Sequence, residues 1–390
     1  MKKLFFLAVL FPLIACSSQE PVTPDPGPET KPETPSPDSL IKGADISWAS
    51  EMEASGRSWK KKDGTAAPLM DVLKDCGFNA VRLRVWVNPY KGWSGKEDVV
   101  AMAQKVKEAG LLLMIDFHYS DFFADPGRQK IPAAWTADAS DKEILSARVS
   151  AHTKEVLQAL KGAGVEVHWI QIGNETRNGM LSPAGDAVWK NDQIDLTNFV
   201  YLYNSGYEAA KSVYPAASVM PHLNDLYSSV SYSNPMWLAD FKAKGGKFDM
   251  LAFSHYPQYE SKLWENGKEK TLTPTEVNQY ALAYIKSVIS TYDVPVLVAE
   301  VGVKTKANEA TAKSLLKTFV EEAAKINKCA GVFYWEPEVD GVWKPEIYGL
   351  PAQLTQYTGT TQSRAWGAYD QGAFSTSGQP TSVLDVFANQ

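Results

Sequence analysis

His168-Trp169-Ile170-Gln171-Ile172-Gly173-Asn174-Glu175 and Val294-Pro295-Val296-Leu297-Val298-Ala299-Glu300 are built alike. Each is a short run of apolar, β-prone residues that ends on a glutamate. Such a run reads as a buried strand, because it is too short for an ordinary helix. A carboxylate at the C-terminal end of a buried strand is the expected layout of a barrel whose working face lies at the strand ends. Working outward, strands are expected at Gly43–Trp48, Ala80–Val85, Leu111–Phe117, Val165–Ile172, Ser218–His222, Met250–Ser254, Val296–Glu300 and Gly331–Trp335. Helical spacing of apolar residues falls between them, at 66–76, 95–109, 143–163, 196–213, 235–244, 274–292 and 308–327, with a short closing pattern at Ser382–Phe387. This alternation is α/β and predicts a (β/α)₈ TIM barrel forming a single catalytic domain over 40–390. A doubly wound open sheet is the rival. It would carry a glycine-rich phosphate turn after an early strand, and the sequence has none.

The start of the chain reads differently. Lys2 and Lys3 precede a short apolar stretch, Leu4 to Ile14, that is too short to span a bilayer. It ends at Leu13-Ile14-Ala15-Cys16, a string resembling a bacterial lipobox. Residues 1–15 are therefore expected to be a lipoprotein signal peptide and Cys16 the lipidated residue. An ordinary signal peptide with an incidental cysteine is the alternative. Residues 16–39 hold the lipidated cysteine and a Pro/Thr-rich stretch with almost no large apolar side chains, the composition of a flexible linker. The expected location is the bacterial outer membrane, at the cell surface or the periplasmic face, with membrane contact through the N-terminal lipid only. Cys76 and Cys329 read as buried small apolar residues, and spacing does not settle whether they pair.

The formal net charge of −6 and the lack of a basic block argue against a nucleic-acid surface. The 12 Trp, 17 Tyr and 15 Phe fit a sugar cleft, although most aromatic residues serve cores.

In this layout Glu175 follows the fourth strand and Glu300 ends the seventh. Two carboxylates at one barrel mouth suit glycosidic bond cleavage. One must hold a proton near neutral pH, and the other must be ionised and held by donors. Other strand ends offer Asp45, Arg82, Arg84, Asp116, His118, His222, Asn224, His255, Tyr256 and Trp335. Arg82 and Arg84 share a face of their strand. Arg84 is expected to meet a carboxylate near the mouth, while Arg82 reads equally as a structural ion pair. His118 and Trp335 each have a plain core reading as well. Asn174, beside Glu175, is placed to reach a sugar 2-hydroxyl.

A family resemblance rests on several strings. They are Gly43-Ala44-Asp45-Ile46-Ser47, Val81-Arg82-Leu83-Arg84-Val85-Trp86, Asp116-Phe117-His118-Tyr119-Ser120-Asp121-Phe122-Phe123-Ala124-Asp125-Pro126, Gly173-Asn174-Glu175-Thr176, Ala299-Glu300-Val301-Gly302 and Phe333-Tyr334-Trp335-Glu336-Pro337. From about residue 42 onward the chain resembles the endo-β-1,4-galactanases of glycoside hydrolase family 53, in the retaining clan A. The resemblance implies hydrolysis of β-1,4-galactosidic linkages in pectic galactan and arabinogalactan. It implies Glu175 as acid/base, Glu300 as nucleophile, and Asp45, Arg84, Trp86, His118, Asn174, Tyr256 and Trp335 as substrate-binding residues. No cofactor and no metal are expected. Relatives with a calcium ion have a long acidic loop after strand seven, whereas Gly302–Glu309 is short and carries Lys304 and Lys306. The expected partner is the polysaccharide, with the protein a monomer. Another clan A endo-glycanase (mannanase or xylanase) and a non-catalytic glycan-binding lipoprotein are the alternatives.

Overall fold

The computed structural model describes residues 40–190, 193–226, 234–259, 262–265, 268–358 and 370–388. The signal segment, Cys16 and the linker lie outside the described residues. The barrel strands are β1 (Ile41–Asp45), β2 (Ala80–Val85), β3 (Leu112–Phe117), β4 (Trp169–Ile172), β5 (Ser218–Met220 continuing as His222–Leu223), β6 (Leu251–His255), β7 (Val296–Val301) and β8 (Cys329–Trp335). All neighbours are parallel.

The two outermost segments of the sheet are the two halves of β5, so the sheet closes on itself. Pro221 separates them. It has no N–H to give to a neighbour, which breaks the ladder at that residue. Its carbonyl still accepts the Ala252 N–H at 3.1 Å, so the seam holds.

The helices are α1 (Leu69–Asp75), α2 (Lys96–Glu108), α3 (Lys142–Gly162), α4 (Thr197–Val213), α5 (Asn234–Ala243), α6 (Pro274–Tyr292) and α7 (Glu309–Ala323), with further short ones at Ala49–Ala54 and Pro351–Thr358. Their starts are written in the sequence. Asp141 accepts the N–H groups of Glu143 and Ile144 ahead of α3. Thr273 and Glu276 form a reciprocal capping box at α6, with Pro274 at its first position. In α3, Leu145, Val149, Val156, Leu157 and Leu160 recur at helical spacing and are buried. One large apolar cluster fills the space between the helices and the outside of the barrel. A second, formed by Ile41, Ala80, Met114, Trp169, Met220, Ala252, Leu297, Phe333 and their neighbours, fills the barrel itself. Gly43 makes room there, because a Cβ at that position would lie 2.1 Å from the Phe333 ring.

Some bounds differ from the sequence reading. Strand one ends at Asp45, and Trp48 instead leads into a short helix at Ala49–Ala54. Trp48 is drawn out of the strand by packing edge-on against Trp86, Phe123 and Trp343. The closing pattern Ser382–Phe387 is a 3₁₀ turn whose Phe387 stacks on Phe78. Among the described residues Cys76 and Cys329 are buried and free. Among them, too, no helix is long and apolar enough to cross a membrane, and no group of three or more His, Cys, Asp and Glu could hold a metal ion.

Candidate active site

At the C-terminal rim, Arg82 is the hub. It is 1% exposed, and its guanidinium contacts Asp45 at 2.7 Å, Asp116 at 2.7 Å and Glu300 at 3.0 Å. It also donates to the side-chain oxygens of Gln171 and Asn174, at 3.1 and 3.0 Å. A buried charge must be compensated, and these contacts compensate it several times over. Burial raises the Asp116 pKa, but Arg82 and then His118 outweigh it and hold the carboxyl below its ordinary value. His118 bonds Asp116 through Nε2 at 2.9 Å and accepts the Ala124 N–H on Nδ1 at 2.9 Å.

Both glutamates reach this network through a break in regular backbone. Leu297 and Ala299 join the interior cluster, so strict alternation would turn Glu300 outward. Phe253 pairs with Val298 but Ser254 pairs with Glu300, which skips Ala299. The ladder to β8 slips at the same place, between Val298 and Val301. This bulge rotates Glu300 into the mouth. Glu175 follows the end of β4 with φ 49° and ψ 51°, left-handed values uncommon for a side chain of its size. Gly173 prepares the turn with φ 80°. A Cβ there would also meet the Thr176 methyl at 2.5 Å.

The two carboxylates differ in their partners. Glu300 accepts the Tyr256 hydroxyl at 2.6 Å in addition to Arg82. Glu175 accepts the Ser254 hydroxyl at 2.7 Å, and the same oxygen lies 3.4 Å from Glu300. Burial and the negative neighbour Glu300 push the Glu175 pKa well above the usual carboxylate value. Burial raises the Glu300 pKa as well, but Arg82 and Tyr256 offset part of that rise. The pair therefore holds its proton on Glu175 and its negative charge on Glu300.

Of the other expected site residues, Asp45 shares Arg82 with Glu300 and takes the Ser47 N–H and hydroxyl. Asn174 is fixed by Ala124 O at 2.8 Å and by Arg82. Tyr256 and Trp335 meet edge-on at the rim and remain partly exposed. Arg84 does meet a carboxylate, that of Glu336, and its guanidinium lies 4.1 Å from the Trp48 ring and 4.6 Å from those of Trp86 and Phe123. Trp86 is 2% exposed, enclosed by that box. Arg82 was left open between function and structure by its sequence. Gln171, His222 and Ser254 also belong to the network, and the signal for them was alternation, since each lies two residues beyond an apolar inward residue of its strand.

A closed parallel barrel that carries two buried, unequal glutamates on one hydroxyl at its C-terminal rim defines a glycoside hydrolase. Residues 41–387 match the family described as Glycosyl hydrolase family 53, and the chain belongs to that family. It is 31% identical to the Neosartorya fischeri protein named "Probable arabinogalactan endo-beta-1,4-galactanase A" over 315 residues, covering 76% of this chain and 83% of that one. It is 29% identical over 399 residues to the Bacillus subtilis "Endo-beta-1,4-galactanase", covering 89% of this chain and 85% of that one. Among solved structures, one from a study of two fungal β-1,4-galactanases superposes with a TM-score of 0.70 at 27% identity, covering 90% of this chain and 99% of the other. The Ignisphaera aggregans GH53 catalytic domain shares the fold, with a TM-score of 0.72 at 24% identity and coverage of 91% and 97%.

Proposed function

We propose that the protein is a retaining endo-β-1,4-galactanase acting on galactan side chains of pectin, with Glu300 as nucleophile and Glu175 as acid/base. The observation that carries this reading is the unequal pair: one hydroxyl touches both carboxylates, while only Glu300 has a cation and a phenol to stabilise its charge. Carboxylates drawn together by a single atom suit the ~5–5.5 Å separation of retaining enzymes better than the ~6.5–9.5 Å that inverting enzymes leave for water. Glu300 attacks the anomeric carbon as Glu175 protonates the departing oxygen. Glu175 then removes a proton from the water that releases the sugar. One N–H of the Asn174 amide is spent on Ala124 O. The other is available to the 2-hydroxyl of the sugar undergoing reaction.

The relatives' names favour galactan over mannan or xylan, and the charged, strained rim favours catalysis over passive glycan binding. Release of galacto-oligosaccharides from linear β-1,4-galactan, with mannan and xylan untouched, is the expected product profile. Cleavage of mannan or xylan in preference to galactan would overturn it.

The N-terminal sequence supports a second part of the reading. Cys16 carries lipid, residues 16–39 tether the catalytic domain, and a monomer works from the outer membrane. Cys16→Ser is expected to leave the membrane fraction with kcat on soluble oligosaccharides unchanged. A variant that still sediments with membranes would refute the lipid anchor.

A further inference from the structure

Ser254 has no part in the bond-breaking chemistry, yet it is fully buried between the two carboxylates and the imidazole of His222. Its surroundings decide which way its single proton points. Asn174 is locked, with Nδ2 on Ala124 O and Oδ1 under Arg82. One amide hydrogen of Gln171 goes to Asp116, and the other lies within reach of His222 Nδ1, Asn174 Oδ1 and Gly173 O. His222 Nδ1 faces two donors, Gln171 Nε2 at 3.0 Å and the backbone N–H of Glu175 at 3.3 Å, and one acceptor, Asn174 Oδ1 at 2.9 Å, which already accepts from Arg82; the two donors make Nδ1 the accepting nitrogen. Burial and Arg82 keep His222 neutral, so a ring that accepts on Nδ1 carries its proton on Nε2. That proton faces Ser254 Oγ at 3.0 Å. Having accepted it, the Ser254 hydroxyl donates onward to its nearest acceptor, Glu175 Oε1 at 2.7 Å, rather than to Glu300 at 3.4 Å. The hydrogen bonds thus leave the backbone of Glu175 and return to its side chain.

We propose that Ser254, oriented by His222, is a positioning residue that keeps Glu175 Oε1 as an acceptor and so fixes the acid proton on Oε2, the oxygen free to face the leaving group. The bond survives both halves of the reaction. When Glu175 is protonated, Oε1 is its carbonyl oxygen, and when it is ionised, Oε1 is one end of the carboxylate. Without Ser254 the proton is free to sit on either oxygen, and the one turned into the protein protonates nothing. This inference rests on Glu175 being the acid/base.

The charges that face Glu175 are Glu300 from β7, Asp225 after β5 (itself 3.6 Å from Arg177) and Asp125 in the loop after β3. Tyr256, after β6, adds a hydroxyl on the Glu300 side. Ser254→Ala leaves all of them in place. The test compares aryl β-1,4-galactobiosides with poor and good leaving groups, using kcat/KM, which reports the first step. Ser254→Ala is expected to lose about tenfold on the poor leaving group and little on the good one, a share of the ~10²–10⁴-fold that general acid–base catalysis supplies. Because a donor to the carboxylate is lost, the alkaline limb of its kcat/KM profile is expected to move to higher pH. Ser254→Thr, which keeps the hydroxyl, restores both. Equal loss on the two leaving groups, or an unmoved alkaline limb in a variant with wild-type melting temperature, would overturn the proposal. Should the alanine variant fold poorly, Ser254→Cys, a weak donor, is read in the same way. Glu175→Ala run alongside separates the two levels: if it shows leaving-group selectivity and Ser254→Ala does not, proton placement alone is wrong. If Glu175→Ala shows none, the acid/base role falls and the proposal with it.

Discussion

The barrel interior holds two chemistries one strand step apart. The lower layer contains Ala80, Met114, Trp169, Met220 and Ala252, all within one apolar cluster. Two residues further along the same strands stand Arg82, Asp116, Gln171, His222 and Ser254, joined by hydrogen bonds and ion pairs. Pleating sends both sets inward. Height along the strand alone decides whether a side chain joins the floor or the site. A tightly packed apolar floor shields the polar layer from below, which strengthens its ion pairs and makes any unpaired member costly. β7 is the exception. Its Ala299 continues the floor where a polar residue would be expected, and the bulge supplies Glu300 instead.

Substitutions in each layer test this division. The largest effect is expected from Glu300→Gln, which keeps shape but removes the attacking charge. Turnover is expected to fall by more than about 10³-fold while far-UV circular dichroism and galactan binding persist. Near-wild-type kcat in a purified sample would remove Glu300 from its role. Arg82→Met strands three carboxylates in the upper layer, and urea unfolding is expected to show a loss of about 3–5 kcal/mol, together with lost activity. A stable Arg82→Met protein would mean that the carboxylates do not depend on their hub. In the floor, Met220→Ala is expected to cost about 2–4 kcal/mol through a cavity. Its kcat and pH profile should stay close to wild type, and a shifted profile would show that floor and site are coupled.

A smaller effect concerns a carboxylate outside the barrel. Glu51 is buried, accepts the Glu346 N–H at 2.8 Å, and is pushed by that burial from 4.5 up to about 7. The folded state favours its protonated form. This contribution is therefore whole below the unfolded value and is lost as pH rises through about 7. Glu51→Gln is expected to match wild type at low pH and exceed it by on the order of 1–3 kcal/mol above neutrality, read from paired denaturation series. Parallel stability curves at all pH values would show that Glu51 is not held protonated.

Eight strands and both glutamates were legible in the sequence because each strand is a bounded apolar run and each glutamate follows one. The network that makes the glutamates unequal was harder to see. Gln171 and Ser254 are single polar residues inside apolar runs, and nothing local says that Arg82 and Glu175 wait on other strands. Pro221 marked no break in advance, because the sequence does not say which neighbouring carbonyl its missing N–H would have served. The bulge at Ala299 is set by slippage against both β6 and β8, a relation among three segments far apart in the chain. Trp48 read as strand on its own, and only its aromatic neighbours explain why it leaves.

The left-handed backbone at Glu175 bears on how this protein would respond to selection. A non-glycine residue held there costs about 1 kcal/mol or more, and this one is also a carboxyl buried beside another. Glycine or asparagine at position 175 would relieve both burdens at once, giving a chain that outlasts the parent on heating and cleaves nothing. Screening for thermal endurance alone would therefore drift toward inert molecules at this residue. The glutamate survives only where turnover itself is rewarded.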